Sequence, residues 1–102
     1  MTRLEQLLKL YELDKNDPFL SYGIALEYIS VKKLAEAEEY LKAALETDPD
    51  YVAAYMQYAQ LKTNLNETEA AKKLYFQGIA AALKSGDKRS AKEMEDFLEE
   101  LE

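Results

Sequence analysis

Apolar positions recur along the whole chain at steps of three and four, the spacing that lays one stripe along an α-helix. Leu4, Leu7, Leu8 and Tyr11 form the first stripe, and the polar run Asp14, Lys15, Asn16, Asp17 ends it, which predicts a helix over residues 2–13. Asp17 and Pro18 open a second helix, because Asp accepts the free amides of a first turn and Pro tolerates the first helical position. That helix runs to about residue 30 and is apolar nearly all round, with Phe19, Leu20, Tyr22, Ile24, Ala25, Leu26, Tyr28 and Ile29, so it packs on several sides. A third stripe, Leu34, Ala37, Leu41, Ala44 and Leu45, is opposed by Glu36, Glu38, Glu39, Lys42 and Glu46, the pattern of a one-faced outer helix. Thr47, Asp48 and Pro49 repeat the stop-and-start chemistry of Asp17 and Pro18 ahead of a fourth helix carrying Val52, Tyr55, Met56, Tyr58, Ala59 and Leu61. The fifth begins near Glu67, follows Ala71, Leu74, Tyr75, Gly78, Ile79, Ala82 and Leu83, and ends at Ser85 and Gly86, the latter suited to a left-handed C-cap. Asp87 caps a sixth, with Ala91, Met94, Phe97, Leu98 and Leu101 on one face. The expected fold is all-α with about six helices, joined by short turns in a chain with only three glycines and two prolines.

A shift of 34 residues turns this row of helices into a repeat. It lays Ile24 on Tyr58, Ala25 on Ala59, Ala37 on Ala71, Leu41 on Tyr75, Ala44 on Gly78 and Leu45 on Ile79, small on small and large on large. Helices of one hairpin approach closely only where one side offers Ala or Gly, so these small residues mark crossings and the bulky ones fill the gaps between.

At these residues the chain resembles the tetratricopeptide repeat (TPR) family, whose repeat has this period. The first copy reads Ser21-x-x-Ile24-Ala25-x-x-Tyr28, then Ala37-x-x-x-Leu41 and Ala44-Leu45, and finishes Thr47-Asp48-Pro49. The second reads Tyr55-x-x-Tyr58-Ala59-x-x-Lys62, then Ala71-x-x-x-Tyr75 and Gly78-Ile79, with Leu83 in place of the closing proline, which implies a longer fifth helix. The period run backwards places Leu7, Leu10 and Tyr11 on Leu41, Ala44 and Leu45, so the first helix looks like the second half of a truncated repeat. The resemblance implies a right-handed superhelical array of antiparallel helix pairs, one TPR-like domain over 1–102. Its parts are an N-terminal helix (1–17), two repeats (18–51 and 52–85) and a C-terminal capping helix (86–102) whose acids suit a water-facing end.

The family commonly binds a peptide or helix on a concave face lined by the first helix of each repeat. The residues at those positions are Phe19, Tyr22, Leu26 and Ile29 from one copy and Ala53, Met56, Gln60 and Thr63 from the next. The chaperone-binding branch holds a carboxylate there with Lys, Asn and Arg, whereas this chain has Tyr22, Leu26, Ala53 and Gln57, so the implied ligand is an apolar or helical segment of a protein. The same stripe also reads as packing beneath the first helix or as a homodimer surface, and the chain also reads as a fragment of a longer TPR array. Of the eight tyrosines, Tyr28, Tyr40, Tyr55, Tyr58 and Tyr75 fall at or beside core positions, leaving Tyr22 and Tyr51 as the better interface candidates.

Composition narrows the chemistry. There is no histidine, cysteine or tryptophan, which removes the commonest general base, the thiol nucleophile and most zinc ligand sets. Asp14, Asn16 and Asp17, or Asp48 and Asp50, lack the glycine and bidentate glutamate of a calcium loop. Every acid falls on a polar face or in a turn, no phosphate-binding glycine loop occurs, and the serines have no imidazole base, so neither an enzyme nor any metal or cofactor is expected. Thirteen Lys and Arg against twenty Asp and Glu give a formal charge of −7, which repels nucleic acid and anionic membranes. The basic group Lys84, Lys88, Arg89 and Lys92 reads as solvated and paired within the chain, and Asn66-Glu67-Thr68 as a turn and helix start. A small disulfide-free scaffold of this kind, with no apolar run long enough for a membrane span, is expected in the cytoplasm.

Overall fold

The computed structural model describes residues 1–102 as six helices and no strand: α1 (Arg3–Leu13), α2 (Pro18–Ser30), α3 (Leu34–Thr47), α4 (Val52–Asn64), α5 (Thr68–Ser85) and α6 (Lys88–Leu101). Local chemistry accounts for most of their ends. Thr2 Oγ1 accepts from the Glu5 amide at 3.1 Å while Glu5 Oε1 accepts from the Thr2 amide at 3.2 Å, a capping box at the start of α1. Asp17 accepts from the Phe19 amide at 2.9 Å and Pro18 takes the first position of α2, as its sequence predicts. Asp87 accepts from the Ser90 amide at 3.1 Å at the start of α6, and hydrogen bonding to Ser90 holds its carboxyl below the ordinary value. Asp48 and Pro49 behave differently from their sequence reading. A residue before proline is pushed out of the α region, and Asp48 is extended at φ −134° and ψ 91°, so the pair ends α3 and does not begin α4. The fourth helix starts three residues later at Val52, after a Tyr51 that gives no side-chain cap.

Three helices end in the same way. The Lys33 amide donates to the Tyr28 carbonyl at 2.9 Å and the Lys32 amide to the Ile29 carbonyl at 2.9 Å. Thirty-four residues on, Glu67 donates to Lys62 at 2.9 Å and Asn66 to Thr63 at 3.0 Å, and the end of α5 repeats the pair with Asp87 to Ala82 and Gly86 to Leu83. These are Schellman turns, and each needs a left-handed residue: Lys32 and Asn66 at φ 61°, Gly86 at φ 79°. A lysine there carries a Cβ penalty of roughly 1–2 kcal/mol that glycine escapes, part of which glycine returns through its freer unfolded chain. Lys32→Gly is therefore expected to raise stability by about 1 kcal/mol, read as a higher urea midpoint at unchanged slope. Asn66→Gly gains less, because asparagine tolerates this region.

The chain divides into two compact units, Met1–Pro49 and Asp50–Glu102. In the first, α2 packs against both α1 and α3, the several-sided packing that its apolar sequence requires. Leu7 of α1 packs over Gly23, and Arg3 reaches across to Glu27 at 3.6 Å. Tyr28 stacks on Tyr40 of α3, and Ile24, Ala25, Ala37, Leu41 and Ala44 are fully buried. Leu10 departs from its repeat equivalent: Ala44 is fully buried, but Leu10 is 50% exposed. In the second unit α5 lies between α4 and α6, and its 18 residues against the 14 of α3 give the longer helix that the missing proline implies. Ala59, Tyr75, Ala82, Ala91, Met94 and Leu98 form its core, with Tyr75 stacked on Phe97 at 5.8 Å.

Candidate functional site

The α2 stripe is positioned by the helices on either side of it. With Gly23 and Glu27 turned to α1 and Tyr28 to α3, the residues at i, i+3, i+7 and i+10 from Phe19 share another side of α2. Phe19 is 66% exposed at the N-terminal end of that side, while Tyr22, Leu26 and Ile29 are half-buried. An aromatic ring left this far in water at a helix start contributes little to the fold that its burial elsewhere would not exceed. Burial raises the Tyr22 phenol above its usual value, so the hydroxyl keeps its proton and remains a donor.

The corresponding positions on α4 are more deeply committed to packing. Met56 lies against the core of the second unit. Thr63 donates to the Ala59 carbonyl at 2.9 Å and lies beside the buried Tyr75. Gln60 is half-buried and Ala53 exposed. The sequence-predicted residues thus differ in kind: the α2 set offers aromatic and branched apolar surface, and the α4 set offers small or polar groups around one methionine.

The other chemical candidates are absorbed locally. Asp14 accepts from the Asn16 amide at 3.2 Å, and this with the Asp17 cap makes the acidic run a turn. Lys84 reaches Asp50 at 3.0 Å, Arg89 reaches Glu93 at 3.3 Å and Lys92 reaches Asp96 at 2.8 Å, so the basic group is largely paired within the chain. The hydrogen bond with Asp96 is the main cause of a raised Lys92 ammonium value. No helix is long and apolar enough to cross a membrane.

Three tyrosines from three helices of the first unit converge. Tyr11 of α1 and Tyr40 of α3 meet edge-on, with ring centres 5.5 Å apart and planes at 70°, and Tyr40 stacks on Tyr28 at 5.8 Å. Beside them lies a cavity of about 230 Å³ lined by Tyr11, Glu39, Tyr40 and Ala43. Periodicity places Tyr28 and Tyr40 near the core, but stripes within single helices carry no signal that three tyrosines from three helices converge.

The sequence matches the family model described as Tetratricopeptide repeat over residues 28–94. A TPR repeat-containing protein of Pseudomonas aeruginosa is 28% identical over 99 residues, covering 97% of this chain and 94% of that protein. The solution NMR structure of a tetratricopeptide repeat domain protein from Salinibacter ruber is similar with a TM-score of 0.82 and 32% identity, over 87% of this chain and 90% of that one. The TPR2B domain of yeast Sti1, solved in complex with pHsp70, is similar in fold with a TM-score of 0.89 at 17% identity, over 96% of this chain and 78% of that one.

Proposed function

The chain belongs to the tetratricopeptide repeat family, and from that premise we propose a non-catalytic interaction module that binds a peptide or helix of a partner protein through the stripe on α2. Ala53, Met56, Gln60 and Thr63 on α4 are the equivalent contacts one repeat later. The observation that carries this reading is Phe19. It is a large aromatic, 66% exposed, in line with the half-buried Tyr22, Leu26 and Ile29. Exposed rings continuous with an apolar stripe are the anchors that interfaces use, and Met56 supplies an adaptable apolar contact. The Lys, Asn and Arg clamp of the chaperone-binding branch is replaced by Tyr22, Leu26, Ala53 and Gln57, which favours an apolar or helical ligand over a terminal carboxylate. The setting we assign is the cytoplasm, with the domain acting as a scaffold.

Amide-shift mapping tests the reading with two probes: an amphipathic helical peptide with apolar residues at i, i+3 and i+7, and an acidic peptide ending in a free carboxylate. The helical peptide is expected to move Phe19, Tyr22, Leu26, Met56 and Gln60, and the acidic one to bind more weakly. Phe19→Ala should lower affinity by about tenfold while changing stability by less than roughly 0.5 kcal/mol, because the ring is exposed. Shifts confined to residues 34–46 and 67–83 would refute the assignment. Sedimentation at several concentrations accompanies the mapping, and a concentration-dependent dimer would replace the monomeric module with a homodimerisation role.

A further inference from the structure

We propose that the tyrosine-lined cavity of the first unit, bounded by Tyr11, Tyr40, Glu39 and Ala43, is a binding pocket for the guanidinium of an arginine side chain presented by a partner protein. This goes beyond the α2 stripe: it is a second recognition site, of opposite chemistry, built from α1 and α3.

Three observations point to a cation. Two aromatic rings set at 70° with their centres 5.5 Å apart give adjoining walls of different orientation, and ring faces carry the negative part of an aromatic quadrupole. Stacking on Tyr28 at 5.8 Å braces the Tyr40 ring from a third helix, so this wall is held in place before anything binds. Glu39 lines the same cavity, and no lysine or arginine of the chain pairs with it, whereas its neighbour Glu38 is paired with Lys42 at 3.8 Å. Glu12, next to Tyr11 in sequence, adds negative charge to the surroundings of Tyr40, although Lys15 lies 3.8 Å from it. Burial first, and then Tyr28, Tyr11, Glu39 and Glu12, raise the Tyr40 phenol, which therefore stays a neutral O–H beside these carboxylates. An anion entering here would meet carboxylates and ring faces of the same sign.

Size and shape select within the cations. A volume of about 230 Å³ lies below the roughly 300–1,000 Å³ of sites that enclose whole small molecules, and suits the tip of one side chain. Ala43, one helical turn beyond Glu39, keeps the space open where a longer residue would fill it. A guanidinium is planar, is weakly hydrated, stacks on aromatic faces and donates two parallel hydrogen bonds to a carboxylate, so one group can use ring and Glu39 together. A lysine ammonium is a compact, strongly hydrated point charge and uses this combination less well. The chain already holds one cation over a ring, Lys62 Nζ 5.9 Å from the centre of Tyr58. The charge of −7 adds a favourable long-range field for a basic partner.

The test uses the full chain and three blocked tripeptides, Gly-X-Gly with arginine, lysine or citrulline at X, the last being the neutral isostere of arginine. NMR titration is expected to move the Tyr11 and Tyr40 ring signals and the Glu39 amide with the arginine peptide, saturating in the millimolar range, and to leave Phe19 and Tyr22 unmoved. Affinity should fall by about tenfold in Glu39→Gln and in Tyr11→Leu, and by a similar factor for citrulline against arginine. The signals of Ile24, Ala25, Ala37 and Leu41, the buried residues of the same unit, report in each variant that its fold is kept, and Glu39→Gln, a near-isosteric surface change, remains decisive if Tyr11→Leu loosens α1. Equal binding of citrulline, an unchanged affinity in Glu39→Gln, or no shift at Tyr11 and Tyr40 would overturn the proposal, and equal binding of lysine would overturn the guanidinium assignment. Because the α2 stripe is read at Phe19 and Tyr22, failure of either site leaves the other's signals to be judged on their own.

Discussion

Replacing Tyr75 with alanine is expected to cost about 3–5 kcal/mol, the range for removing a large buried aromatic. Tyr75 is 2% exposed, stacks on Phe97 with planes 19° apart, and sits in one cluster with Ala59, Ala82 and Met94. Ala59, Ala82 and Ala91 carry single methyl groups that cannot swing into the void, so its closure is left to Met94, Leu98 and the side chains packed on them and part of the cavity remains. A domain of this size commonly has only about 5–15 kcal/mol in total, so the loss approaches global unfolding. Urea unfolding followed by circular dichroism measures it, and hydrogen exchange in α4, α5 and α6 locates it. Tyr75→Phe separates ring from hydroxyl: it keeps the packing, loses only the phenolic oxygen beside Thr63, and should cost no more than about 1 kcal/mol. Burial also raises the Tyr75 phenol above 10.0, with the nearby Thr63 hydroxyl opposing the shift. A raised value means that the folded state resists ionisation, so this contribution is complete below the ordinary phenol value and fades as pH climbs from there through the raised one. Tyr75→Phe should flatten that alkaline loss. An alanine variant within about 1 kcal/mol of the parent chain would show that the ring does not anchor the unit.

Much of this architecture is written in single-helix patterns, and what escapes the pattern has a physical reason in each case. The stripes around Leu41 and Tyr75 give helix faces directly, and the small residues at 25, 37, 59 and 71 mark crossings because only a small side chain permits them. Gly86 announces its left-handed turn, whereas Lys32 adopts the same conformation with nothing in its chemistry to advertise it; only the 34-residue equivalence to Asn66 hints at the turn. Asp48 and Pro49 show that one dipeptide has two uses, ending a helix or starting one, according to what the residues after proline do. Ser21 stands where the family has tryptophan, and its Oγ is fully enclosed without a hydrogen-bond partner, a cost no local pattern reveals. The α2 stripe is legible because its four members lie on one helix. The Tyr11, Tyr28 and Tyr40 convergence is not, since it exists only once three helices have packed.

The close approach of α5 to its neighbours rests on Gly78, and adding one methyl group there is expected to destabilise the chain by about 1–3 kcal/mol. On helix propensity alone Gly78→Ala should gain about 1 kcal/mol, since glycine is the poorer helix former. Geometry outweighs propensity. A Cβ at this position would lie 2.6 Å from Met94 Sδ of α6 and 2.8 Å from Tyr55 Cβ of α4, both well inside contact distance. Met94 has rotatable bonds and can swing its sulfur away, although it is fully buried and must then disturb the core around it. Tyr55 Cβ is fixed to the α4 backbone and can retreat only if α4 and α5 separate along their whole interface. The equivalent position in the first unit is Ala44, fully buried, so the α2 and α3 crossing accommodates the methyl group that this one excludes. Met94→Ala in combination with Gly78→Ala divides the two clashes: part of the penalty should be relieved when the sulfur is gone, and the part owed to Tyr55 should remain, giving a coupling energy of about 0.5–3 kcal/mol in a double-mutant cycle. Complete relief would assign the whole constraint to Met94, and a Gly78→Ala chain as stable as the parent would show that the helices are not held this close.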